Sequence, residues 1–206
     1  MVNPPPDEMI SSFPSILSID TCSVWNVLCS KTLHIAARIK GRHFVLAEYV
    51  RYECLVKPSS RNGLQELRTR LQNELGSKGC FSVQSLTVDD LVALSYTPKA
   101  VRRLHHGELA AVALAQKLRN GFLTDDQNAR KNAASALDSS RVRTTSHLIG
   151  WLVYEGQLSD GDIPTVINDH KEFEQEKAHL EPYIQSCYEH AMGLRLRERI
   201  AQQGFS

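Results

Sequence analysis

The sequence predicts a three-layer α/β/α protein with a mostly parallel central sheet and a helical C-terminal extension. Three observations carry this reading. Short apolar runs alternate with helical stretches of ten or more residues, the alternation recurs between residues 15 and 160, and only helical signals follow Gly156. Strands joined by crossover helices lie parallel and are covered on both faces. The organisation expected is a Pro-rich, flexible lead over residues 1–13, an α/β domain over 14–160 and a helical extension over 161–206.

The elements follow in order. Ser15 to Asp20 is an apolar run ending on a carboxylate, and Ser23 to Ile39 reads as one helix with Val24, Val27, Leu28, Leu33 and Ala36 on its buried face. Gly41-Arg42 breaks it. His43 to Leu46 is a second strand, running into a helix with Val50 and Cys54 on one side and Pro58 as its stop. Leu64, Leu67, Leu71 and Leu75 mark an amphipathic packing helix. Phe81-Ser82-Val83 alternates like an edge strand, and Thr87-x-x-Asp90 has the form of a helix N-cap. The Ala-rich helix from Glu108 to Leu118 should be buried on most sides. Gly121 to Thr124 is a strand, and Thr124-x-x-Gln127 resembles a capping box for a helix through Leu137. Arg141 to Thr144 is the last strand, before a helix carrying Leu148, Ile149, Trp151, Leu152 and Tyr154. Pro164 and Pro182 suit first helical positions. Leu180, Ile184, Cys187, Ala191 and Leu194 then form a stripe that either covers the domain or meets a second chain.

Composition excludes several classes. With 206 residues, 42% hydrophobic and 23% charged, the chain is globular, and 24 Lys+Arg against 23 Asp+Glu excludes a strongly basic nucleic-acid coat protein. Its longest apolar run, Leu109 to Ala115, is too short for a bilayer span, so no membrane partner is expected. The first residues lack the features of a secretory signal, and five scattered cysteines without C-x-x-C suit a reducing, cytoplasmic setting. Cys187-x-x-His190 and Cys29-x-x-x-x-His34 have zinc-like spacing, but neither has a second pair to complete four ligands. Phosphate-loop and nucleophile-elbow motifs are absent from the sequence.

In a parallel α/β sheet the site forms at the carboxyl ends of the strands, so acids placed there are the candidates. Asp20 ends the first strand, Asp125 and Asp126 follow the Gly121 to Thr124 strand, Glu108 opens the Ala-rich helix, and Glu53 lies on the helix after the second strand. Each alone suits an N-cap or a first-turn acid. Together they would repel one another unless a cation lay among them, and an all-oxygen site prefers Mg²⁺ or Mn²⁺.

These residues resemble a known family. Ile19-Asp20-Thr21, Val50-x-x-Glu53, Gly107-Glu108-Leu109-Ala110-Ala111 and Leu123-Thr124-Asp125-Asp126-x-x-Ala129-Arg130 resemble the ordered motifs of PIN domains of the VapC-like type. The likeness continues through Thr145 to Leu152 and Gly156 to Ser159. It implies a PIN-like fold and a Mg²⁺- or Mn²⁺-dependent endoribonuclease, commonly the toxin of a toxin-antitoxin pair and homodimeric. By the family pattern Asp20, Glu53, Glu108 and Asp126 are the catalytic acids. The metal ligands implied are Asp20, Glu108, Asp126 and Asp125, while Thr21 and Thr124 lie on the substrate side and fix neighbouring carboxylates or backbone. Glu48 is the alternative to Glu53, and Cys22 stands where many members carry Ser or Asn.

RNA binding requires local positive charge. Lys99 to Arg143 holds nine basic residues against four acidic ones, and Arg102, Arg103, Arg130 and Lys131 are the expected phosphate contacts. From Asp160 onward acids outnumber bases nine to five, which suits a basic antitoxin segment or a twofold partner. A catalytically silent RNA- or protein-binding module and a DNA-cutting defence nuclease are the alternative functions.

Overall fold

The computed structural model describes residues 5–59, 63–76, 78–96, 104–175 and 179–203. Five strands, β1 (Ile16–Ile19), β2 (His43–Ala47), β3 (Phe81–Gln84), β4 (Gly121–Leu123) and β5 (Val142–Arg143), form one sheet ordered β3-β2-β1-β4-β5. Every pairing is parallel, with Ile16 opposite His43, Phe44 opposite Phe81, Ile19 opposite Leu123 and Phe122 opposite Val142. This is the α/β class with a parallel central sheet flanked by helices, consistent with three α/β/α layers. The sheet is parallel throughout rather than mostly so. Leu17 to Ile19, Phe44 to Ala47 and all of β4 are buried, as a sheet covered on both faces demands. β3 is an edge strand, as expected, and grades from buried Phe81 to exposed Gln84.

The strand order positions the site. From β1 the chain builds outward through β2 and β3, then returns to add β4 and β5 on the other side of β1. Neighbouring connections therefore diverge between β1 and β4, the place where parallel α/β sheets put a crevice at the carboxyl ends.

The chain forms two compact units, Pro14–Leu28 with Gly41–Thr145, and Met1–Phe13 with Cys29–Lys40 and Ser146–Ser206. The first holds the sheet, with all but the last residue of α2 (Thr21–Cys29), α4 (Glu48–Leu55), α5 (Leu64–Glu74), α6 (Val88–Ser95), α7 (His106–Leu118) and α8 (Gln127–Ala133). Within it α7 packs on β1, β2 and β4, and its run Ala110 to Ala115 is buried, as its composition requires. Burying Val112 and Leu114 contributes about 1.5–3 kcal/mol each. The second unit holds α1 (Asp7–Ser11), α3 (Lys31–Ile39), nearly all of α9 (Thr145–Tyr154), α10 (Asp162–Phe173) and α11 (Glu181–Gln203).

Several expectations need correction. The lead expected over residues 1–13 contains α1, with Ile10 and Phe13 buried and Phe13 stacked on Trp151 at 5.7 Å. The helix expected from Ser23 to Ile39 is two helices. Ser30 turns extended and its hydroxyl accepts from Leu33 N at 3.4 Å, the N-cap role that serine prefers to a helix interior. In α5 Glu74 is buried while Leu75 is half-buried, because Glu74 Oε2 takes the Cys80 amide at 3.0 Å. Pro182 and Pro164 fall second and third in their helices rather than first. Thr87 and Asp90 do form a capping box.

The α11 stripe, from Leu180 to Leu194, is buried within the chain, so it is no longer an argument for a second copy. α1 packs on α11, with Asp7 Oδ1 2.8 Å from His190 Nε2. Gly150 admits this packing, since a Cβ there would lie 3.0 Å from Cys187 Cβ. His190 and buried Cys187 are thus both used in packing. The five cysteines are free, and no helix among the described residues is long and apolar enough to cross a membrane.

Candidate active site

Parallel strands send every following helix away from the carboxyl end, so helix N-termini collect there, and acids favour such termini. Asp20 sits between β1 and α2. Its Oδ1 accepts from Ser23 N at 2.8 Å, and its own amide donates to Leu123 O at 3.3 Å, which ties the ends of β1 and β4 together. Asp126 caps α8, accepting from Ala129 N at 2.7 Å. The cap is therefore Asp126 rather than Thr124, and α8 stops at Ala133 rather than Leu137. Thr124 Oγ1 accepts from Asp126 N at 3.3 Å and is also hydrogen-bonded to Asp20, so one hydroxyl links two of the acids.

Glu53 and Glu108 come from the helices on the other side of β1. Glu53 Oε2 accepts from Thr21 Oγ1 at 2.7 Å, and Lys57 Nζ lies 3.2 Å from Oε1. Glu48, the alternative, has a side chain 49% exposed against 18% for Glu53, and is paired with Arg51 at 2.7 Å. Gly107 explains how close α4 and α7 come, because a Cβ there would collide with Glu53 Oε2. Glu108 Oε2 accepts from His105 N at 3.0 Å, closing a capping box at the start of α7.

The electrostatics show how closely the acids gather. Asp20 is only 3% exposed, and its carboxyl is raised from 3.8 to about 7. Burial is the largest cause and the charge of Asp125 adds to it, against the hydrogen bonds of Thr124 and Ser23. Glu108 is raised by desolvation first, then by Asp126 and Glu53, against the His105 amide. The Cys22 thiol is pushed up to about 12, by desolvation and then by Asp20, Asp125, Glu108 and Asp126 in turn. The residue as a whole is exposed, so the desolvation belongs to its sulfur, which faces the acids and stays protonated.

Asp125 differs from its neighbours. Its Oδ2 accepts from Ser23 Oγ at 3.3 Å, Asn26 Nδ2 at 2.8 Å and Thr145 Oγ1 at 2.6 Å, and its Oδ1 accepts from Thr145 N at 2.8 Å. This carboxylate is committed to joining α2, the end of β4 and the start of α9. Ser23, Asn26 and Thr145 are the site residues that sequence reasoning missed. Their signal was a pair of polar residues one turn apart on an otherwise apolar helix, since buried polar groups imply partners.

The acids gather at the carboxyl ends of the strands, near enough to act on one another's charge, without closing on a point. Among the described residues, no three of their ligand oxygens lie within 4.8 Å of one another. The donor set nevertheless fits a hard divalent cation: it is all oxygen, its central carboxylate is buried without a cation beside it, and Gly107 keeps Glu53 at the cluster. Arg130 and Lys131, with Gln127, Ala134, Ser139 and Val142, line a pocket of about 330 Å³ on α8, and Arg130 Nε is buried there without a hydrogen-bond partner. Lys99, Arg102 and Arg103 lie outside the described residues. No protein-family model matches this chain, and no curated protein matches it.

Proposed function

We propose that the chain is a Mg²⁺- or Mn²⁺-dependent endoribonuclease that hydrolyses RNA phosphodiester bonds at the β1/β4 crevice. One observation carries this reading: acids from four separate segments converge where the strand order reverses, around a carboxyl raised to about 7 by burial. Structural acids are placed where hydrogen bonds satisfy them, as Asp125 is; Asp20 is buried beyond what its partners offset. A divalent cation bound here supplies Lewis-acid polarisation of the phosphate and a water acidic enough to attack at neutral pH.

Asp20, Glu108 and Asp126 would hold the cation, and Glu53 would contribute directly or through water, with Thr21 fixing its carboxylate. Asp125 braces the β4 loop from behind, and Arg130 and Lys131 take neighbouring phosphates. The PIN-like motif order supports a toxin-type ribonuclease acting in the cytosol under a protein antitoxin and as a homodimer. Since the α11 stripe is used inside the chain, the dimer would use another surface.

The test is cleavage of RNA and of single-stranded DNA in Mn²⁺, with and without EDTA, by the natural chain and by Asp20→Asn. Metal-dependent RNA cleavage lost in the variant supports the reading. Equal activity in both proteins sinks the assigned site, cleavage of DNA alone makes the chain a DNA nuclease, and cleavage of neither leaves the binding module.

A further inference from the structure

Helix α11 is covered on one side only. Its Ile184, Cys187, Ala191 and Leu194 are buried, His190 and Arg197 reach Asp7 on α1, and Arg195 Nη1 donates to Val153 O at 3.1 Å. Around the opposite arc, at alternating intervals of four and three, stand Gln185, Glu189, Met192, Leu196, Arg199 and Gln203. Met192 is half-buried and the other five are exposed. A helix on the surface keeps its outward face polar, yet Leu196 and Ile200 here are 60% and 61% exposed. Beside them is Gly193, where a Cβ would meet nothing within 4 Å. A groove of about 700 Å³ runs along this face, walled on its far side by the turn from Leu158 to Gly161, and Tyr188 ties that turn to α11 by a hydrogen bond to Asp160. All of these residues belong to the second unit.

Helices that pair with one another repeat their contacts at intervals of four and three. The order of chemistry along this repeat selects the partner. In an antiparallel pair centred on Leu194, Leu196 meets the partner's Met192, Arg199 meets the partner's Glu189 and Gln203 meets the partner's Gln185. Every layer then matches, apolar with apolar, cation with anion and amide with amide, and twofold symmetry makes each match twice. A parallel pair would set Arg199 against Arg199 and Glu189 against Glu189, and a foreign helix of one charge sign would be repelled at one of the two positions. Both charges are open to a partner: Arg199 forms no hydrogen bond or ion pair with another described residue, and Glu189 accepts from Gln185 Nε2 at 2.9 Å within the same stripe. Gly193 lets the second helix come close.

We propose that the outward face of α11 is a self-pairing surface, on which a second copy of this chain lays its own α11 antiparallel, with Leu196 against the partner's Met192 and Arg199 against the partner's Glu189. The pairing does not rest on the ribonuclease reading, since none of the acids at the carboxyl ends of the strands takes part in it. It gives the helical extension a task that the sheet-bearing unit does not perform.

Analytical ultracentrifugation of the full chain tests this through charge reversal. The natural chain is expected to show an equilibrium between monomer and dimer. Arg199→Glu and Glu189→Arg each place like charges together twice, so each should raise the dimer Kd about tenfold or more. Both substitutions in one chain should restore the natural Kd, and mixing the two single variants should give a heterodimer tighter than either homodimer. Leu196→Asp should leave monomer. All three side chains are exposed, so helix content read by circular dichroism should be unchanged in every variant. A natural chain that stays monomeric at its highest soluble concentration overturns the proposal. So does a dimer that neither reversal weakens, which would lie on another surface. Reversals that weaken the dimer without rescue in the double variant or the mixture overturn the antiparallel pairing.

Discussion

At the amino end of the sheet, Arg141 Nε donates to Asn120 O at 3.0 Å, and its Nη2 donates to Ala115 O at 2.7 Å. These carbonyls lie at and just beyond the C-terminus of α7, where a cation is favoured by the helix dipole. Ser18, buried in β1, donates to Asn120 Oδ1 at 3.1 Å at the same end. At the carboxyl end of the same strands, Asp20, Glu108 and Asp126 stand at helix N-termini, the mirror-image placement, yet the result differs. The amino end pairs the Arg141 charge with carbonyls, and its one buried orphan among the described residues is the neutral Asn120 Nδ2. The carboxyl end gathers like charges with few cations, and pays in a buried carboxyl raised to about 7. Equal use of helix ends is met by unequal compensation at the two ends.

Removing the central charge should show the difference most strongly. Asp20→Asn keeps an acceptor for Ser23 N but removes the anion, so metal-dependent cleavage is expected to fall about a hundredfold or more. In EDTA at pH 8 the same variant should unfold at a higher temperature than the natural chain. Lower stability together with lost activity would mean that Asp20 is structural.

The pH dependence sharpens this. The folded-state value, about 7, lies above the ordinary 3.8, so the folded protein binds this proton more tightly than the unfolded chain does. The stability from that proton is complete below about pH 4 and is lost as pH rises through about 7, a change on the order of 4 kcal/mol. Unfolding in EDTA across this window should show a decline for the natural chain that Asp20→Asn lacks. Cation affinity should rise over the same window, because the metal competes with the proton. Parallel pH profiles for the two proteins would contradict the assignment of the charge to Asp20.

A smaller effect is expected at Gly107. In Gly107→Ala the new Cβ displaces the end of Glu53, a flexible side chain, and breaks its bond from Thr21. Cleavage should fall about tenfold, the scale of a disturbed outer-shell partner, while stability changes by less than about 1 kcal/mol because alanine also favours the helix. A loss of folding with no separate loss of activity would break this view of the carboxyl end. The smallest functional effect belongs to the amino end: Arg141→Ala should cost about 1–2 kcal/mol in chemical unfolding and leave kcat unchanged. A fall in kcat there would mean that the two ends are coupled.

Some of this was legible without coordinates. Alternating apolar runs and helical periods identified all five strands and the buried helix α7, because those signals are local and repeat within a few residues. Acids directly after apolar runs could be assigned to the carboxyl ends of strands from chain direction alone, which brought out Asp20, Asp125 and Asp126. The break at Ser30 was missed because apolar spacing continues across it, and only the capping bond to Leu33 shows the turn.

By itself, then, the sequence determined the class of fold and the strand ends that bear charge, since propensity, periodicity and charge are properties of neighbouring residues. Only the tertiary structure decided that β1 lies beside β4, and so which strand ends share a crevice. It also decided that Glu53 rather than Glu48 reaches Thr21, and that Asp125 turns to Ser23, Asn26 and Thr145 while Asp126 does not. Each depends on pairing between segments remote in sequence, where the free energy of packing selects one arrangement among several that local preferences allow equally.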